Sequence, residues 1–109
     1  MPKKRKLPPV HPGEVLYADF LEPLEMSQNE LARQIRVSSS RITPIVKGRR
    51  SVTPEMALRL GRFFRTGAEF WLGLQRKYDL QIAEDKLASE IERGIEPIEQ
   101  ERLATASTS

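Results

Sequence analysis

The chain has 109 residues with a formal net charge of +3, and 39% of its residues are hydrophobic and 30% charged. This length allows one domain with a single core, and the composition is that of a globular protein rather than of a disordered chain. The sequence contains no cysteine, which excludes a disulfide scaffold, a thiolate zinc site and a cysteine nucleophile, and no apolar run is long enough to span a membrane.

Residues 1–12 are rich in Lys, Arg and Pro and have no apolar periodicity, which predicts a flexible basic arm. Such an arm could contact phosphate or act only as a solubilising segment, and its basic run also resembles a nuclear-localisation signal. It lacks the apolar segment of a secretory signal, so we expect a cytoplasmic protein. From residue 13 the apolar spacing predicts a first helix that ends near Glu22, before Pro23. Its apolar face contains Val15, Leu16, Phe20, Leu21 and Leu24.

Two short helices are predicted next. Ser27 and Glu30 have the spacing of a capping box, which starts a helix that runs to about Gln34. Ser38 is the expected N-cap of the third helix, and Gly48 is its expected left-handed C-terminal residue. The residues expected to face the core are Leu31, Ala32 and Ile35 in the second helix and Ile42, Ile45 and Val46 in the third.

Two longer helices and a C-terminal extension complete the predicted elements. Thr53 and Pro54 fit the N-cap and first position of a fourth helix, and a second capping box from Thr66 to Glu69 predicts a fifth. Residues 80–96 predict an acidic C-terminal helix, and residues 97–109 a flexible tail. The expected inward residues are Met56, Ala57, Leu60, Phe63 and Phe64, then Phe70, Trp71, Leu74 and Tyr78. In the extension, Ala83, Leu87 and Ile91 lie on one apolar stripe.

No segment alternates with the period of a strand, so the predicted fold is all-α: a five-helix domain over residues 13–79 with a C-terminal helical extension. Within it, residues 27–48 have the spacing of a helix-turn-helix, whose second helix enters the DNA major groove. The small residue Ala32 allows that second helix to cross closely. Charge is segregated, with +4 over residues 38–50 and −4 over residues 80–109, which favours a polyanion on one side of the molecule. A helix pair packed only for stability is the alternative.

The candidate DNA contacts divide into two sets. Short polar side chains and one proline on the outward face of the third helix are the candidate base-facing residues: Ser38, Ser39, Ser40, Thr43 and Pro44. One amide at the start of the second helix and four cations are the candidate phosphate contacts: Gln28, Arg41, Lys47, Arg49 and Arg50. Base contacts determine sequence preference, whereas phosphate contacts determine affinity and register.

Several segments together closely resemble the HigA-type antitoxins, which are helix-turn-helix proteins of the phage-repressor (XRE) class. The matching segments are His11–Glu14, Ser27–Ala32, Gly48–Arg50, Thr53–Leu60 and Glu69–Gln75. The resemblance covers about residues 11–85. It implies a homodimeric repressor of its own toxin–antitoxin operon that also neutralises a HigB-type, ribosome-dependent messenger-RNA endonuclease by direct binding.

On this resemblance, Gln28 corresponds to the repressor glutamine that hydrogen-bonds phosphate, and Ser38–Ser40 and Thr43 fall on groove-facing positions. Pro44 departs from the usual polar residue, and proline inside a helix removes a hydrogen bond and tends to kink the helix. Arg36 occupies a turn position at which such repressors often have glycine, and a non-glycine residue at positive φ is uncommon. Both departures bear on the operator sequence rather than on the fold.

Other functions have less support in the sequence. The only histidine, His11, is best interpreted as a local cap, and no residue cluster predicts a metal site, a cofactor site or an enzyme active centre. Two alternatives remain open: a phage-type repressor without a toxin, and an antitoxin that binds only protein. The acidic residues 80–109 could cover a basic toxin surface, or the stripe around Leu87 could pack on the fifth helix or on a dimer mate.

Overall fold

The computed structural model describes residues 8–107 of the chain. Within that range the chain forms α-helices, one π-helical segment and no strand, as the all-α prediction requires. The elements are α1 (Pro12–Val15), the π-helical segment Leu16–Leu21, α2 (Gln28–Ile35), α3 (Ser39–Val46), α4 (Pro54–Phe64), α5 (Ala68–Gly94) and α6 (Gln100–Ser107).

The ordered domain begins two residues earlier than the sequence predicts. His11 and Pro12 are buried, so they do not belong to a flexible arm over residues 1–12. The physical reason is a cap: the His11 side chain accepts a hydrogen bond from the Gly13 amide at 2.9 Å through Nδ1, which starts α1. The basic residues of the arm, Lys3, Lys4, Arg5 and Lys6, lie outside the described residues.

The predicted N-caps have mixed outcomes. Ser27 Oγ accepts from the Glu30 amide at 3.0 Å and Thr53 Oγ1 from the Met56 amide at 3.2 Å, as predicted. Ser38 occupies the N-cap position of α3, but its hydroxyl forms no cap bond and instead shares a 2.8 Å hydrogen bond with Ser40. The capping box at Thr66 is wrong, because Gly67 is the N-cap of α5.

The core lies where the helices meet and follows the predicted periodicity for most residues. The side chains less than 3% exposed are Pro12, Leu16, Leu21, Leu31, Ile42, Met56, Ala57, Leu60 and Trp71. Two predicted inward residues are wrong: Leu24 lies beyond the end of the first helix and is 58% exposed, and Phe70 is 40% exposed. Phe70 still packs edge-on against Trp71 at a ring distance of 5.0 Å.

The fifth helix and the predicted extension are one continuous element. α5 spans 27 residues, about 40 Å at 1.5 Å per residue, so the boundary at residue 79 falls inside a helix. Residues 80–93 contain neither Gly nor Pro and are rich in strong helix formers, which explains the continuity. The tail from residue 97 is not irregular throughout, because Gln100–Ser107 forms α6; alanine, leucine and glutamate there favour a helix.

Two glycines allow helices to approach closely. A Cβ on Gly13 would lie 1.8 Å from the Ile45 carbonyl oxygen of α3, and a Cβ on Gly61 of α4 would lie 2.3 Å from the Gly67 carbonyl carbon. Gly13 therefore allows α1 to contact the backbone of α3. Gly61 allows the turn before α5 to pack on α4, and at Gly67 the chain has a positive φ of 84°.

Candidate nucleic-acid interface

The turn between α2 and α3 has the geometry of a helix-turn-helix. Arg36 adopts a left-handed conformation with φ 65° and ψ 47°, although it is not a glycine. The Val37 amide then donates to the Ala32 carbonyl at 3.0 Å, which terminates α2. Arg59 of α4 donates to the Ile35 carbonyl at 2.7 Å, satisfying a carbonyl that the helix end leaves free. The turn after α2 is thus closed by a backbone bond and held to α4 by one arginine.

The outward face of α3 is the surface available to a ligand. Ile42 and Ile45 are buried against the core, and on the opposite side of the helix lie Ser40, Pro44 and Lys47, about half a turn away. Of the predicted base-facing set, Ser40 is exposed and Thr43 and Pro44 are half-buried. The structure brings these three side chains together with the cation Lys47 on one face.

Ser38 and Ser39 are placed differently from the rest of the predicted set. Ser38 is exposed at the N-cap position and Ser39 is half-buried on the flank of α3. Their hydroxyls are therefore at the end of the helix rather than on its outward face. The first turn of a recognition helix is the part that lies deepest in a groove, so this position is compatible with a contact at the helix end.

Gln28 and Thr43 are joined across the two helices. The Thr43 hydroxyl donates to Gln28 Oε1 at 2.7 Å. This bond links a predicted phosphate contact to a predicted base-facing residue that is 15 positions away in the chain. Because the hydroxyl proton is engaged with the amide, the Thr43 oxygen presents lone pairs to any ligand on that face.

Arg41 is directed toward α4 by an ion pair that the sequence analysis missed. Its Nη2 lies 3.1 Å from Glu55 Oε1, and Arg59 Nε lies 3.0 Å from Glu55 Oε2. The hydrogen bond from Arg41, followed by that from Arg59, holds the pKa of the Glu55 carboxyl below its usual value. Of these two ion pairs, only the one between Glu55 and Arg59 could be predicted from the sequence, because the two residues are four positions apart on one helix.

The C-terminal end of α3 presents cations from a well-defined turn. The Arg49 amide donates to the Pro44 carbonyl at 2.8 Å and the Gly48 amide to the Ile45 carbonyl at 3.0 Å, which is a Schellman motif. Gly48 has a φ of 75°, as predicted for the C-terminal residue. Arg49 and Arg50 follow it and are exposed, at the position where the sequence predicts phosphate contacts.

His11 supports this turn from the side of the core. A Cβ on Gly48 would lie 3.7 Å from the His11 ring, and the ring packs edge-on against Tyr78 of α5 at 4.9 Å. Burial lowers the pKa of the His11 imidazole below its ordinary value, and the Arg50 backbone and the carboxylates of Asp79 and Glu14 offset this only in part. The predicted role of His11 as a local cap is confirmed by its bond to Gly13.

Pro44 lies inside α3 without ending it. The helix continues for two residues beyond the proline. Proline has no amide to donate to the Ser40 carbonyl, so α3 lacks that one bond. The bonds that close the end of the helix use the carbonyl of Pro44 instead, which proline retains.

Two other kinds of site are absent from the described residues. Between residues 8 and 107 no group of three or more His, Asp or Glu side chains could hold a metal ion. Over the same residues no helix combines the length and the apolar character needed to cross a bilayer. The turn between α2 and α3, the outward face of α3 and the cations beside it form the candidate site, and together they define a helix-turn-helix protein.

Comparisons with known proteins agree with this class. A family model described as helix-turn-helix matches residues 18–71. Virulence-associated protein I of Dichelobacter nodosus is 44% identical over 81 residues, which are 74% of this chain and 75% of that protein. The antitoxin HigA of Pseudomonas aeruginosa, solved with the higBA promoter, has a TM-score of 0.81 and 42% identity, with 84% of this chain and 99% of that chain covered.

A second solved structure extends the comparison to another antitoxin. The antitoxin GraA, solved in complex with its operator, has a TM-score of 0.81 and 35% identity, with 88% of this chain and 97% of that chain covered. The chain belongs to the XRE-type helix-turn-helix family and, within it, to the HigA-type antitoxins. The fold and family predicted from the sequence are confirmed.

Proposed function

We propose that this chain is a homodimeric, cytoplasmic repressor of its own operon that also neutralises a messenger-RNA endonuclease toxin by direct binding. The observation that carries the proposal is the exposed face of α3, flanked by Lys47, Arg49 and Arg50. Two relatives that share this fold were solved with a promoter and with an operator. The antitoxin function rests on the family and on the acidic half of α5.

On the DNA side, the base-facing set is Ser38, Ser39, Ser40, Thr43 and Pro44, and the phosphate set is Gln28, Arg41, Lys47, Arg49 and Arg50. Thr43 donates its proton to Gln28, so its oxygen accepts, and it therefore selects a base with an amino group in the major groove, adenine or cytosine. Pro44 can offer only apolar contact, for example to a thymine methyl group. Arg41 keeps further N–H donors for phosphate while Glu55 holds one of them.

The two sets are distinguished by a pair of alanine variants. Arg50→Ala should weaken binding to every DNA sequence and reduce the slope of log affinity against log salt by about one unit. Thr43→Ala should instead change the ratio of affinities between operator variants by about 1–3 kcal/mol per affected base pair. Arg76→Ala is the matched control, because it removes one charge from α5, far along the chain from α3. If Arg50→Ala changed sequence preference and left the salt slope intact, the two roles would be reversed.

On the toxin side, the distal half of α5 combines carboxylates with an apolar stripe. Leu87 and Ile91 of the predicted stripe are 43% and 47% exposed, and Leu80, on the same side of the helix, is 61% exposed. They lie about half a turn around the helix from Trp71 and Tyr78, which contact the domain. The stripe therefore faces away from its own domain, and the alternative that it packs on the fifth helix is wrong because it is part of that helix.

An endonuclease that cleaves RNA presents a basic surface to its polyanionic substrate, and this acidic stripe complements such a surface. Changing Glu84 and Glu90, which flank the stripe, to Lys should weaken toxin capture at least tenfold while operator binding survives. Glu92→Lys is the matched control, because Glu92 lies on the other side of the same helix. Capture is measured by co-expression with the product of the neighbouring reading frame, followed by titration of the purified proteins.

The same experiment separates the proposal from its alternatives. If no stoichiometric complex forms with that product, the chain acts as a phage-type repressor without a toxin. If toxin neutralisation persists when Arg49 and Arg50 are both changed to alanine and operator binding is lost, the antitoxin acts by protein binding alone. If reversal of Glu84 and Glu90 abolishes the dimer instead of toxin capture, the stripe is a dimer interface.

A further inference from the structure

A groove between the end of α2 and the outer side of α4 is apolar at its centre and cationic at its rim. Its volume is about 340 Å³, and its lining includes Ile35, Leu58 and Phe63 together with Arg36, Arg59 and Arg62. Leu58 is 65% exposed. A leucine of this exposure among three arginines favours a partner that is both apolar and acidic.

The cations of this rim are not all neutralised within the described chain. Arg59 is held by Glu55 at 3.0 Å and by the Ile35 carbonyl. Arg36 and Arg62 have no carboxylate within ion-pair distance among residues 8–107. A nucleic-acid backbone would pair with these cations but would leave Leu58 and Phe63 against phosphate and sugar. The apolar centre therefore favours a polypeptide.

The chain itself carries a segment with the complementary character. Every residue from 92 to 106 is exposed, although the segment includes three large apolar side chains, Ile95, Ile98 and Leu103, that are 64%, 51% and 53% exposed. The carboxylates of Glu96, Glu99 and Glu101 are interspersed with them. An exposed segment that is acidic, apolar and partly helical is complementary to a cationic apolar groove.

The pattern of the two helices matches in detail. On α4, Leu58 and Arg62 are four residues apart and share a face. At α6, Glu99 and Leu103 are also four residues apart, and the Leu103 amide donates to the Glu99 carbonyl at 3.2 Å. If α6 lies antiparallel to α4, Leu103 contacts Leu58 in the same register that places Glu99 beside Arg62.

The segment cannot reach the groove of its own chain while α6 stays helical. α5 runs antiparallel to α4, because Gly67 packs on Gly61 and Gln75 accepts from the Val52 amide at 2.8 Å. The groove is thus level with the first turns of α5, roughly 35 Å from Gly94. Residues 95–99 extend about 17 Å and α6 adds about 12 Å. Together they are shorter than the distance from Gly94 to the groove, even along a straight path.

We propose that the C-terminal segment 95–107 of one chain docks in the groove lined by Leu58 and Arg62 of a second copy, and that the exchange is reciprocal. This inference rests on the homodimer of the proposed function and assigns part of its interface. A two-fold dimer contains the contact twice, so each substitution acts at two places. The distal stripe of α5 around Leu87 stays available to a toxin in this arrangement.

The test is a charge exchange on the full chain, with the dimer dissociation constant measured by sedimentation equilibrium. Arg62→Glu and Glu99→Arg should each weaken the dimer at least tenfold, since each places like charges in both contacts. The variant with both changes should return to within about threefold of the unchanged protein. Arg76→Glu is the control for a reversal outside the groove, and thermal unfolding at low concentration checks that every variant folds.

Four outcomes would overturn the proposal. Single variants with an unchanged dimer constant would show that the groove and the segment do not meet. A lower melting temperature that is independent of concentration, with rescue in the double variant, would place the segment in its own groove. Weaker DNA binding by Arg62→Glu with an intact dimer would make the rim a nucleic-acid surface. An unchanged chain that is monomeric at micromolar concentration would instead refute the homodimer itself, and this inference with it.

Discussion

His11 contacts three parts of the molecule at one point: the start of α1, the C-terminal turn of α3 and the side of α5. Its Nδ1 accepts from the Gly13 amide at 2.9 Å, which requires the neutral ring. Burial holds the pKa of the imidazole below its ordinary value. The protonation state of His11 therefore affects the contacts that hold the start of α1 and the C-terminal turn of α3 in place.

Stability should depend on pH through this residue. Unfolded His11 takes up a proton as the pH falls below about 6.5, whereas the folded ring resists protonation. The stabilisation by the neutral ring is complete above that pH and is lost progressively below it. The free energy of unfolding should thus fall more between pH 7.5 and 5.5 in the unchanged protein than in His11→Asn, which keeps a capping oxygen and does not titrate. Urea unfolding at both pH values measures this, and equal pH dependence would contradict it.

Pro44 weakens α3 by one hydrogen bond. In Pro44→Ala the restored amide can donate to the Ser40 carbonyl, so we expect the free energy of unfolding to rise by about 1–2 kcal/mol. This is less than the full cost of proline inside a helix, because alanine makes the unfolded chain more flexible and so favours unfolding. Pro54→Ala is the matched control and should change stability by less, because the first position of a helix needs no amide bond. Chemical denaturation compares the two. A loss of stability in Pro44→Ala would mean that the packing of the proline ring contributes more than the restored hydrogen bond.

At the scale of elements, helix ends that depend on neighbours in sequence were predictable and those that depend on distant contacts were not. Ser27, Thr53 and Gly48 could be assigned because their bonds are local. The start of α5 could not, since its N-cap, Gly67, packs on Gly61 of α4. Likewise, the outward side of α3 could be predicted from the apolar periodicity. The pairing of Arg41 with Glu55 could not, because the two residues are 14 positions apart in the sequence.

Alanine substitution at two glycines in α4 and α5 should change the stability in opposite directions. A Cβ on Gly61 would lie 2.3 Å from backbone, whereas a Cβ on Gly73 would meet only the end of the Arg76 side chain at 3.8 Å. Gly61→Ala should destabilise the protein by about 1–3 kcal/mol or more through overpacking. Gly73→Ala should stabilise it by about 0.5–1 kcal/mol, because alanine favours the helix. Melting temperatures that move in the same direction for both variants would contradict this account of the junction.

At the scale of the whole molecule, the described residues place the candidate recognition helix, α3, on an elongated body of 56 × 39 × 23 Å. α3 has eight residues, so it spans about 12 Å and reads only a few base pairs. Charge is distributed accordingly, with cations beside α3 and carboxylates on the distal half of α5. A two-fold dimer doubles the length of DNA that is read and presents two acidic helices to other partners.

The proposed homodimer predicts how operator geometry controls affinity. Its two copies of α3 should contact half-sites about one helical turn, roughly 34–36 Å, apart. Inserting five base pairs between the half-sites moves the second by about 17 Å and turns it to the other side of the duplex, so affinity should fall to that of an operator with one half-site. Inserting ten base pairs restores the side but adds about 34 Å, which a dimer of fixed geometry cannot span, so affinity should stay low. Mobility-shift titrations on the three operators test this at constant salt. Unchanged affinity after the five-base-pair insertion would mean that each chain binds its half-site independently.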